Sequence, residues 1–388
     1  MSKNKKVIIT AANGQDGSNM VDFLLEATNN DIVGTVRRTS QPILNNLTAA
    51  IGNPRFRLEL MDLNDPHSID ELIKKENPDY FINFGASAFV PDSWNSPAAC
   101  MQTNSLSLIH ILESVRKYNR MCRVYSSGSS EQFGNVLYSP QDEKHPMNPR
   151  SIYGVSKCAA SHICKVYRES YGLFVVHGLL YNHEGLRRQF SYVTRKITSN
   201  VARIFNEIQN NLPITSLRLG ELDARRDWSD SVDFMDGIWR MINQEKYNGK
   251  IEALISQYDQ TGKLLLPRDI NPAWHSILVK NINEYILSSG ETHTIREFCE
   301  IAFEHAGFPK LQWEGKGISE KGFILDGNKK KVILIEVDKE FYRPADVMLL
   351  HGDSSRARKE LGWKPKISFI QLVQRMVEND LMLLEMSK

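Results

Sequence analysis

The first half of the chain alternates short apolar runs with stretches whose apolar residues recur at helical spacing. Runs rich in β-branched residues predict strands, at Lys6–Thr10, Asp31–Val36, Phe56–Leu63, Tyr80–Ala86, Cys122–Ser129 and Leu173–Asn182. Helical spacing between them predicts helices at Ser18–Thr28, Ser68–Lys75, Ala98–Lys117 and Tyr153–Tyr171. Strands that alternate with helices indicate βαβ units with right-handed crossovers. We therefore expect an α/β fold with a doubly wound parallel sheet of the Rossmann type.

The pattern becomes mixed after about residue 182. Helical spacing predicts further helices over Val193–Gln209, Asp230–Gln244 and Thr294–Ala306, and one near the C-terminus. The stretch Tyr247–Asn283 carries several turn signals and is interpreted as a hairpin or a long excursion. We expect one domain over residues 1–182 and a smaller mixed α/β domain over residues 183–388, partly interleaved with the first. An extra segment at about 247–283 belongs to this second part.

Composition and charge argue against several classes of function. The chain has 388 residues, 41% hydrophobic and 24% charged, which suits a globular protein with a substantial core. A formal net charge of +2 is too small to indicate binding to nucleic acid or to a membrane surface. The five cysteines are odd in number and form no CxxC pair, so neither a disulfide framework nor a metal site is indicated. With no apolar stretch near the roughly 18 residues of a membrane helix, we expect a cytoplasmic protein.

The first predicted strand ends in "TAANGQDG", Thr10 to Gly17. Glycines after a buried strand and before a helix allow a tight turn, and they let the backbone approach a pyrophosphate at the helix N-terminus. Gly14 and Gly17 occupy the last two positions of the A-x-x-G-x-x-G pattern, and Ala11 stands where the first glycine is usual. We expect Ala11 to keep a negative φ, because a methyl group is poorly tolerated otherwise.

The second predicted strand ends in "TVRRTS", Thr35 to Ser40. A site for NAD usually carries an acidic residue here, which binds the ribose hydroxyls. This chain has Arg37 and Arg38 instead, and a pair of guanidinium groups suits a 2′-phosphate. The pattern therefore favours NADP over a solvated loop.

Tyr153 and Lys157 are four residues apart in a predicted helix, so they share one face. A tyrosine of pKa near 10 needs about 4 kcal/mol of help to act as a base at pH 7. An ammonium group roughly 5 Å away, at an effective dielectric constant near 20, supplies about 3 kcal/mol. Beside a nicotinamide, such a pair can deprotonate an alcohol while hydride leaves its carbon.

These motifs together resemble the extended short-chain dehydrogenase/reductases, and nearly the whole chain resembles the GDP-mannose 4,6-dehydratases among them. The resemblance is collinear and rests on the words "GQDGS", "VRRTS", "SSEQFG", "YGVSK", "YNHEGLRR", "VTRKI", "LGELDARRDW", "GETHTIREF", "YRPADV" and "ELGWKP".

The resemblance implies a mechanism for four residues. Tyr153, supported by Lys157, would take the proton from the sugar 4-OH while hydride passes from C4 to NADP. Glu131 would then remove the proton from C5 and protonate the departing 6-OH, and the hydride would return to C6. Ser129 would bind the C4 oxygen, at a position where the family has threonine.

The resemblance also implies two sets of binding residues. The cofactor set is Ala11, Ala12, Asn13, Gly14, Gln15, Asp16, Arg37, Arg38, Thr39, Ser40, Asp62, Leu63, Phe84, Gly85, Ala86, Ser87, Ala88, Lys157, His183 and Arg188. The substrate set, for the diphosphate and ribose of a GDP-sugar, is Asn182, Lys196, Arg218, Arg226 and Arg343, since arginine offers a bidentate fork to phosphates. The second domain would be the one that mainly binds substrate, and the chain would form a homodimer or homotetramer.

Several departures from the family bear on the sugar rather than on the redox chemistry. The sequence "NFGASAFV" (Asn83–Val90) has Ser87 and Phe89 where the family usually has glutamine and histidine. "EGLRRQ" (Glu184–Gln189) replaces the usual "ESPRRG", and the segment from Tyr247 to about Asn283 is longer than usual. Mannose is therefore less firmly indicated than the dehydration.

Three alternatives stay open at this point. The first is the same reaction on another GDP-sugar, such as a manno-heptose. The second is a 4-epimerase or 3,5-epimerase of the same superfamily, although a 4-epimerase needs no base such as Glu131 at C5. The third is a non-catalytic NADP-binding or regulatory protein, which would have no need of Ser129, Glu131, Tyr153 and Lys157 together.

Overall fold

The chain divides into two compact units, each built from several segments. The computed structural model describes residues 4–41, 43–244, 272–341 and 349–386. The first unit consists of Met1–Leu180, Ser231–Leu287 and Asp353–Lys364. The second unit consists of Tyr181–Asp230, Ser288–Gly352 and Pro365–Lys388. The chain first leaves the first unit next to the predicted boundary at residue 182, and it then returns to that unit twice.

The described residues form sixteen strands, most of them short. In chain order they are β1 (Lys6–Ile9), β2 (Asp31–Val36), β3 (Phe56–Leu60), β4 (Tyr80–Asn83), β5 (Arg123–Ser127), β6 (Val175–Leu180), β7 (Asn182–Glu184), β8 (Leu217–Leu219), β9 (Arg225–Arg226), β10 (Trp228–Asp230), β11 (Ile286–Leu287), β12 (His293–Thr294), β13 (Gln312–Glu314), β14 (Lys321–Leu325), β15 (Lys331–Val337) and β16 (Leu349–Leu350).

The helices follow the strands of the first half and alternate with shorter strands in the second. They are α1 (Gln15–Ala27), α2 (Pro66–Glu76), α3 (Asp92–Asn95), α4 (Pro97–Met101), α5 (Ser107–Tyr118), α6 (Ile152–Tyr171), α7 (Val193–Gln209), α8 (Ser231–Ile242), α9 (Pro272–Asn281), α10 (Ile295–His305), α11 (Ser355–Leu361) and α12 (Phe369–Met386). No helix in these described parts is long and apolar enough to cross a membrane.

The first unit contains a seven-stranded parallel sheet in the order β11-β6-β5-β4-β1-β2-β3. Strand β1 pairs with β2 on one side and β4 on the other, with Ile8 opposite Val33 and Phe81. The chain therefore winds outward in both directions from β1, and the carboxyl ends of these strands form one edge. The predicted doubly wound parallel sheet is confirmed.

Both faces of this sheet are buried, which explains its nearly continuous apolar strands. Successive side chains of a strand point to opposite faces, so Val7 and Ile9 join one core cluster and Ile8 joins the other. The first cluster includes Phe234 of α8, and the second includes Ile111 of α5. Helices on both faces thus hold the sheet rigid and fix the loops at its carboxyl edge.

The second unit has its own core. Strands β13, β14, β15 and β8 form a four-stranded sheet, and α7, α10 and α12 supply most of the remaining buried apolar side chains. Trp228 of β10 stacks on Phe369 of α12 with ring centroids 5.8 Å apart. The predicted helix over Val193–Gln209 has those bounds in the structure.

One predicted helix is interrupted. The expected helix Ala98–Lys117 consists of α4 and α5 with a π-helical turn, Gln102–Leu106, between them. Within this turn Asn104 is buried and hydrogen-bonded to two other parts of the chain. Apolar periodicity does not reveal such an insertion, because it reports only which face is buried.

Candidate functional site

The carboxyl end of β1 passes into α1 through the predicted glycine loop. Gly17 packs tightly on this loop, since a Cβ there would lie 2.3 Å from the carbonyl oxygen of Ala11. Gly14 is the N-cap of α1 and contributes no side-chain cap to the amides of the first turn. Amides at a helix N-terminus favour an anion. The loop that runs through Ala12, Asn13, Gln15 and Asp16 could therefore hold a phosphate group.

The expectation that Ala11 keeps a negative φ is wrong, because its φ is 50°. The Ala11 carbonyl accepts the N–H of Gly14 at 2.9 Å, and the N–H of Ala12 donates to the Thr35 carbonyl at 3.0 Å. These hydrogen bonds close the loop and tie it to β2. They hold a residue with a Cβ in the left-handed region at a cost of roughly 1–2 kcal/mol.

The other predicted cofactor residues lie at the same edge of the sheet. They follow the strands that lie on either side of β1: Arg37, Arg38, Thr39 and Ser40 come after β2, Asp62 and Leu63 after β3, and Phe84, Gly85, Ala86, Ser87 and Ala88 after β4. Gly85 comes so close to Leu63 that a Cβ would lie 2.2 Å from the Leu63 Cδ1. The N–H of Gly85 also donates to the Thr10 hydroxyl at 2.8 Å. The structure thus brings the ends of β1, β3 and β4 together.

Arg37 and Arg38 are both exposed at the end of β2. No carboxylate among the residues that the structure describes pairs with either guanidinium. Arginine normally finds an anionic partner when it is held at a binding site. A phosphate monoester fits this donor set, because each guanidinium offers a planar pair of N–H groups.

Strand β5 ends in a short turn that carries Ser129 and Glu131. Ser129 caps a single 3₁₀ turn, Ser130–Gln132, and its Oγ accepts the N–H of Glu131 at 3.2 Å. In return, the side-chain Oε1 of Gln132 accepts the N–H of Ser129 at 2.9 Å. This reciprocal capping box fixes the backbone of the turn on both sides of Glu131.

Helix α6 brings Tyr153 and Lys157 to the same place. Both side chains are buried, and the Lys157 Nζ lies 5.8 Å from the centroid of the Tyr153 ring. The same Nζ donates to the carbonyl oxygen of Ser127, the last residue of β5, at 2.8 Å. Lys157 therefore joins α6 to the strand that leads into Ser129 and Glu131.

A glycine contact joins α6 to the turn of Glu131. A Cβ at Gly154 would lie 2.7 Å from the Glu131 carbonyl oxygen and 2.9 Å from the Cβ of Pro149. No side chain fits between the first turn of α6 and the 3₁₀ turn, so the two elements touch through their backbones. The structure thereby places Ser129, Glu131, Tyr153 and Lys157 in one region of the first unit.

The charge on Lys157 suits it to stabilise a nearby phenolate. Burial lowers the pKa of Lys157 to about 8, although the negative charge of Asp16 acts to raise it. The amine therefore remains mostly protonated at pH 7. An ammonium roughly 6 Å from a phenolate oxygen, at an effective dielectric constant near 20, favours the phenolate by about 3 kcal/mol.

Asn104 is a residue of this site that the sequence reasoning missed. Its Oδ1 accepts the N–H of Ser87 at 2.8 Å, and its Nδ2 donates to the Ser156 hydroxyl at 2.9 Å. It thus joins the loop after β4 to α6, one residue before Lys157. No sequence signal marks it, since a single asparagine in a helical pattern is usually solvated.

In the second unit, β7 carries two of the predicted ligands, Asn182 and His183. The Nδ1 of His183 lies 2.8 Å from the carbonyl oxygen of Tyr181. A carbonyl can only accept, so Nδ1 carries a proton and the neutral ring keeps Nε2 as its acceptor. The role of both residues in binding stays a prediction.

Arg188 is paired within the second unit. Its Nε lies 2.9 Å from the Glu184 carboxylate, and its guanidinium lies 3.6 Å from the ring centroid of Tyr192. The Thr194 hydroxyl donates to the same carboxylate at 2.6 Å. The charge of Arg188 is therefore partly compensated, and its predicted contact with the cofactor stays a prediction.

Lys196 and Arg218 lie close enough to influence each other. Burial lowers the pKa of Lys196, and the positive charge of Arg218 lowers it further. The Lys196 Nζ lies 3.4 Å from the ring centroid of Phe341. Arg218 forms ion pairs with Asp338 and, at 3.6 Å, with Glu340. This group of charges could hold a diphosphate, provided that an anion competes with the two carboxylates for Arg218.

Arg226 stands beside a buried carboxylate that anchors its strand. Asp227 is fully buried, and it accepts the N–H groups of Ser289 and Gly290 at 2.8 and 3.0 Å. It also accepts the Ser289 hydroxyl at 2.7 Å and the N–H of Gly352 at 3.3 Å. This carboxylate fixes the backbone on which Arg226 sits. Sequence reasoning selected the half-buried arginine and missed the fully buried aspartate next to it.

Two predictions fall outside the described residues. Arg343, the last of the predicted substrate ligands, lies in one gap, and most of the excursion Tyr247–Asn283 lies in another. Of that excursion, the structure describes α9 and the residues that follow it.

Comparisons with known proteins point to one family. The family model for GDP-mannose 4,6 dehydratase matches residues 8–261 and 257–376. The GDP-mannose 4,6 dehydratase of Drosophila melanogaster is 30% identical over 99% of this chain and 88% of its own length. The GDP-mannose 4,6-dehydratase of Vibrio cholerae serotype O1 is 33% identical over 97% of this chain and 94% of its own length.

A solved structure supports the fold. The UDP-glucose 4-epimerase of Thermotoga maritima matches with a TM-score of 0.74 and 18% identity, over 98% of this chain and 99% of the other. The GDP-mannose dehydratase family uses NADP, which is the cofactor predicted from Arg37 and Arg38. Because the family model covers most of the chain and full-length relatives reach 30% identity or more, the resemblance found in the sequence is confirmed. The chain belongs to the GDP-mannose 4,6 dehydratase family and is a nucleotide-sugar 4,6-dehydratase, a hydro-lyase.

Proposed function

We propose that this protein converts GDP-mannose to GDP-4-keto-6-deoxymannose by internal hydride transfer and loss of water. The observation that carries the proposal is the backbone contact of Gly154 with Glu131, together with the Lys157–Ser127 hydrogen bond. These two contacts support a common site for one base at an alcohol and a second base at a neighbouring carbon.

Tyr153 acts at C4 in this proposal. Its phenolate, stabilised by Lys157, takes the proton from the 4-OH, and Ser129 donates a hydrogen bond to the C4 oxygen. When bound, NADP supplies the chemistry that this chain lacks, by accepting hydride from C4 and returning it to C6. The 4-ketone that results makes the proton on C5 acidic.

Glu131 acts at C5 and at the 6-oxygen. Its carboxylate removes the C5 proton, and the carboxylic acid so formed protonates the departing 6-OH, which leaves as water. One residue can perform both transfers because the proton taken from C5 is the one given to the 6-oxygen. Once hydride reaches C6, C5 regains a proton, which balances the proton that Tyr153 took from the 4-OH and restores the starting state of both bases. Each turnover therefore ends with the starting cofactor, and the reaction needs no external reductant.

The cofactor is proposed to contact residues of the first unit that follow its strands, namely Ala11–Asp16, Arg37–Ser40, Asp62, Leu63 and Phe84–Ala88. The proposed set also includes Lys157, His183 and Arg188. The glycine loop would hold the pyrophosphate of the cofactor, and Arg37 and Arg38 would bind its 2′-phosphate. The open N-terminus of α1 and the unpaired state of Arg37 and Arg38 among the described residues support this assignment.

The substrate is proposed to contact Asn182, Lys196, Arg218, Arg226 and Arg343. The first four lie in the described part of the second unit, and the grouping of Lys196 with Arg218 supports a diphosphate site.

We further propose a homodimer or homotetramer that works in the cytoplasm. The five free cysteines, of which all but Cys158 are buried, suit a reducing compartment.

The experiment is an incubation of the purified protein with GDP-mannose and no added reductant. Mass spectrometry should find a product lighter by one water, and NMR should find a methyl group at C6 and a ketone at C4. An epimer of unchanged mass would favour an epimerase instead. Dehydration of GDP-manno-heptose but not of GDP-mannose would keep the reaction and change the substrate.

A further inference from the structure

His177 lies beneath the turn that carries Glu131. It belongs to β6 and is fully buried. Its Nδ1 lies 3.2 Å from the Ser126 hydroxyl, and its Nε2 lies 3.1 Å from the Oε1 of Gln132. Gln132 is itself fully buried, so the ring connects two strands with the capping box of Ser129.

The partners of His177 determine which ring nitrogen carries the proton. The Oε1 of Gln132 already accepts the N–H of Ser129 at 2.9 Å, so this atom is the amide oxygen and not its nitrogen. An oxygen can only accept, and therefore the Nε2 of His177 carries the proton. Nδ1 is then the acceptor for the hydroxyl of Ser126.

The hydrogen bond between His177 and Gln132 has space because Gly128 has no side chain. A Cβ at Gly128 would lie 2.5 Å from the Nε2 of His177 and 2.7 Å from the Oε1 of Gln132. It would also lie 2.5 Å from the carbonyl oxygen of Gly178. The end of β5 therefore passes directly over the hydrogen bond between the two side chains, just before the turn begins.

His177 has a fixed, neutral state. Burial, together with the nearby positive charge of Lys157, lowers its pKa to about 3. The ring therefore does not exchange protons with a substrate near neutral pH, and no sugar reaches a fully buried side chain. Its contribution is the position of one N–H group.

We propose that His177 is a positioning residue for the elimination step, acting through Gln132 on the turn of Glu131. The proposal rests on the proposed role of Glu131 as the base at C5. With the N–H of His177 in place, the Gln132 carboxamide has one orientation and holds the N–H of Ser129. Without it, the carboxamide can rotate and release the N–H of Ser129. The turn then keeps the 3.2 Å hydrogen bond from Glu131 to Ser129 and the 3.7 Å contact of the Cys158 thiol with the Gln132 carbonyl, but not the reciprocal half of its capping box.

The site has two separable parts, and His177 serves one of them. Lys157, which supports Tyr153, is held by the backbone carbonyl of Ser127 and not by Gln132. A loosened turn should therefore slow proton removal at C5 more than proton removal at the 4-OH. A displacement of about 1 Å at a reacting group can cost about a hundredfold in rate.

Two substitutions of His177 differ in which nitrogen they replace. The side-chain amide of His177→Gln reaches the place of Nε2 and can donate to Gln132. The shorter amide of His177→Asn reaches only the place of Nδ1, near Ser126. We expect kcat to fall roughly 10- to 100-fold in His177→Asn and only about two- to threefold in His177→Gln.

Deuterium isotope effects on kcat locate the affected step. With GDP-mannose deuterated at C5, the isotope effect should be larger in His177→Asn than in the wild type. With deuterium at C4, it should be smaller. A general loss of folded protein would lower kcat without changing either isotope effect, and equal behaviour of the Asn and Gln variants would overturn the proposal.

A second variant covers the case in which His177→Asn does not fold. Gln132→Met removes the carboxamide and should raise the C5 isotope effect in the same way, and an unchanged isotope effect would overturn the proposal. If the wild type fails to dehydrate any GDP-sugar, the proposed function fails. If the wild type dehydrates GDP-mannose and His177→Asn keeps its isotope effects, only this inference fails.

Discussion

The Nζ of Lys157 donates to the carbonyl oxygen of Ser127 at 2.8 Å, so the lysine of α6 is held by the strand that ends at Ser129 and Glu131. This one hydrogen bond connects the two motifs that the sequence separates by more than twenty residues. It also holds the lysine in a buried position, and that burial lowers its pKa to about 8. In the proposed mechanism, the position of this charge beside Tyr153 is what makes base chemistry at C4 possible.

The lowered pKa of Lys157 predicts a pH dependence. Below about 8 the amine is charged and stabilises the Tyr153 phenolate, and above that value the charge is lost. The kcat/KM for GDP-mannose should therefore fall as pH rises through about 8, since kcat/KM reports the free enzyme. In Lys157→Arg the guanidinium stays charged, so the residual activity should not show this decline. A wild-type profile that stays flat to pH 10 would refute the assignment.

The contact of Gly154 with Glu131 predicts a strong effect of a single methyl group. In Gly154→Ala the Cβ would lie 2.7 Å from the Glu131 carbonyl oxygen, so the turn or the helix must move. We expect a loss of about 1–3 kcal/mol in the free energy of unfolding and at least a tenfold loss in kcat. Thermal unfolding and steady-state kinetics measure the two effects.

Gly327→Ala provides the matched control for this substitution. Gly327 lies in the turn between β14 and β15, and no atom lies within 4 Å of a Cβ built there. Its stability and activity should match those of the wild type. If Gly154→Ala behaves like this control, the close contact of the two turns is not real.

Because Ala11 has a positive φ, we expect glycine at this position to stabilise the folded protein. Ala11→Gly removes the strain of a Cβ at φ 50° and should raise the free energy of unfolding by up to about 1 kcal/mol. Ala12→Gly is the control, because Ala12 is fully buried and its Cβ packs on Gly34. That substitution should lower stability by about 1 kcal/mol. Urea unfolding of both variants distinguishes the two effects, and a destabilised Ala11→Gly would contradict the assigned conformation.

Because Asp227 is buried, we expect its substitution to reduce stability more than substitution of the exposed Asp223. In Asp227→Asn, one oxygen that accepts backbone N–H groups becomes an NH₂ group that faces donors. We expect a loss of about 2–4 kcal/mol in the free energy of unfolding. Asp223→Asn changes an exposed carboxylate paired with Arg296 and should cost less than about 1 kcal/mol. Similar unfolding curves for both variants would show that the buried carboxylate is not an anchor.

His177 predicts a difference in acid stability. Its folded-state pKa of about 3 lies below the usual 6.5, so only the unfolded chain takes up this proton between those values. The free energy of unfolding should therefore fall as pH drops below 6.5, with about 1.4 kcal/mol per pH unit due to this residue. In His177→Gln that contribution is absent, and the curve of stability against pH should be flatter. Parallel curves would mean that the histidine is not held neutral.

The strands of the first unit were predictable because both faces of the sheet are buried. The apolar runs at Lys6–Thr10 and Asp31–Val36 correspond to β1 and β2 within one residue at each end. The short strands of the second unit, such as β9 and β12, were not predicted. Two-residue ladders are set by tertiary contacts, such as those of Asp227, and leave no periodic pattern.

The sequence predicted the parts of the site for which a motif specifies both the residue types and their spacing. Tyr153 and Lys157 share a helix face, so their proximity follows from the chain itself. Asn104, His177 and Gln132 act through contacts far apart in the sequence, and single polar residues in apolar stretches give no hint of them. The φ of Ala11 was predicted wrongly because local preference was considered without the hydrogen bonds that close the loop.

The most direct test of the central claim is the product that Glu131→Gln forms from GDP-mannose. The variant keeps the size of the side chain but has no carboxylate to take the C5 proton. We predict that loss of water slows at least a hundredfold, while hydride still leaves C4 and the absorbance of reduced nicotinamide rises on mixing. Formation of the 4-keto-6-deoxy sugar at the wild-type rate would contradict the account.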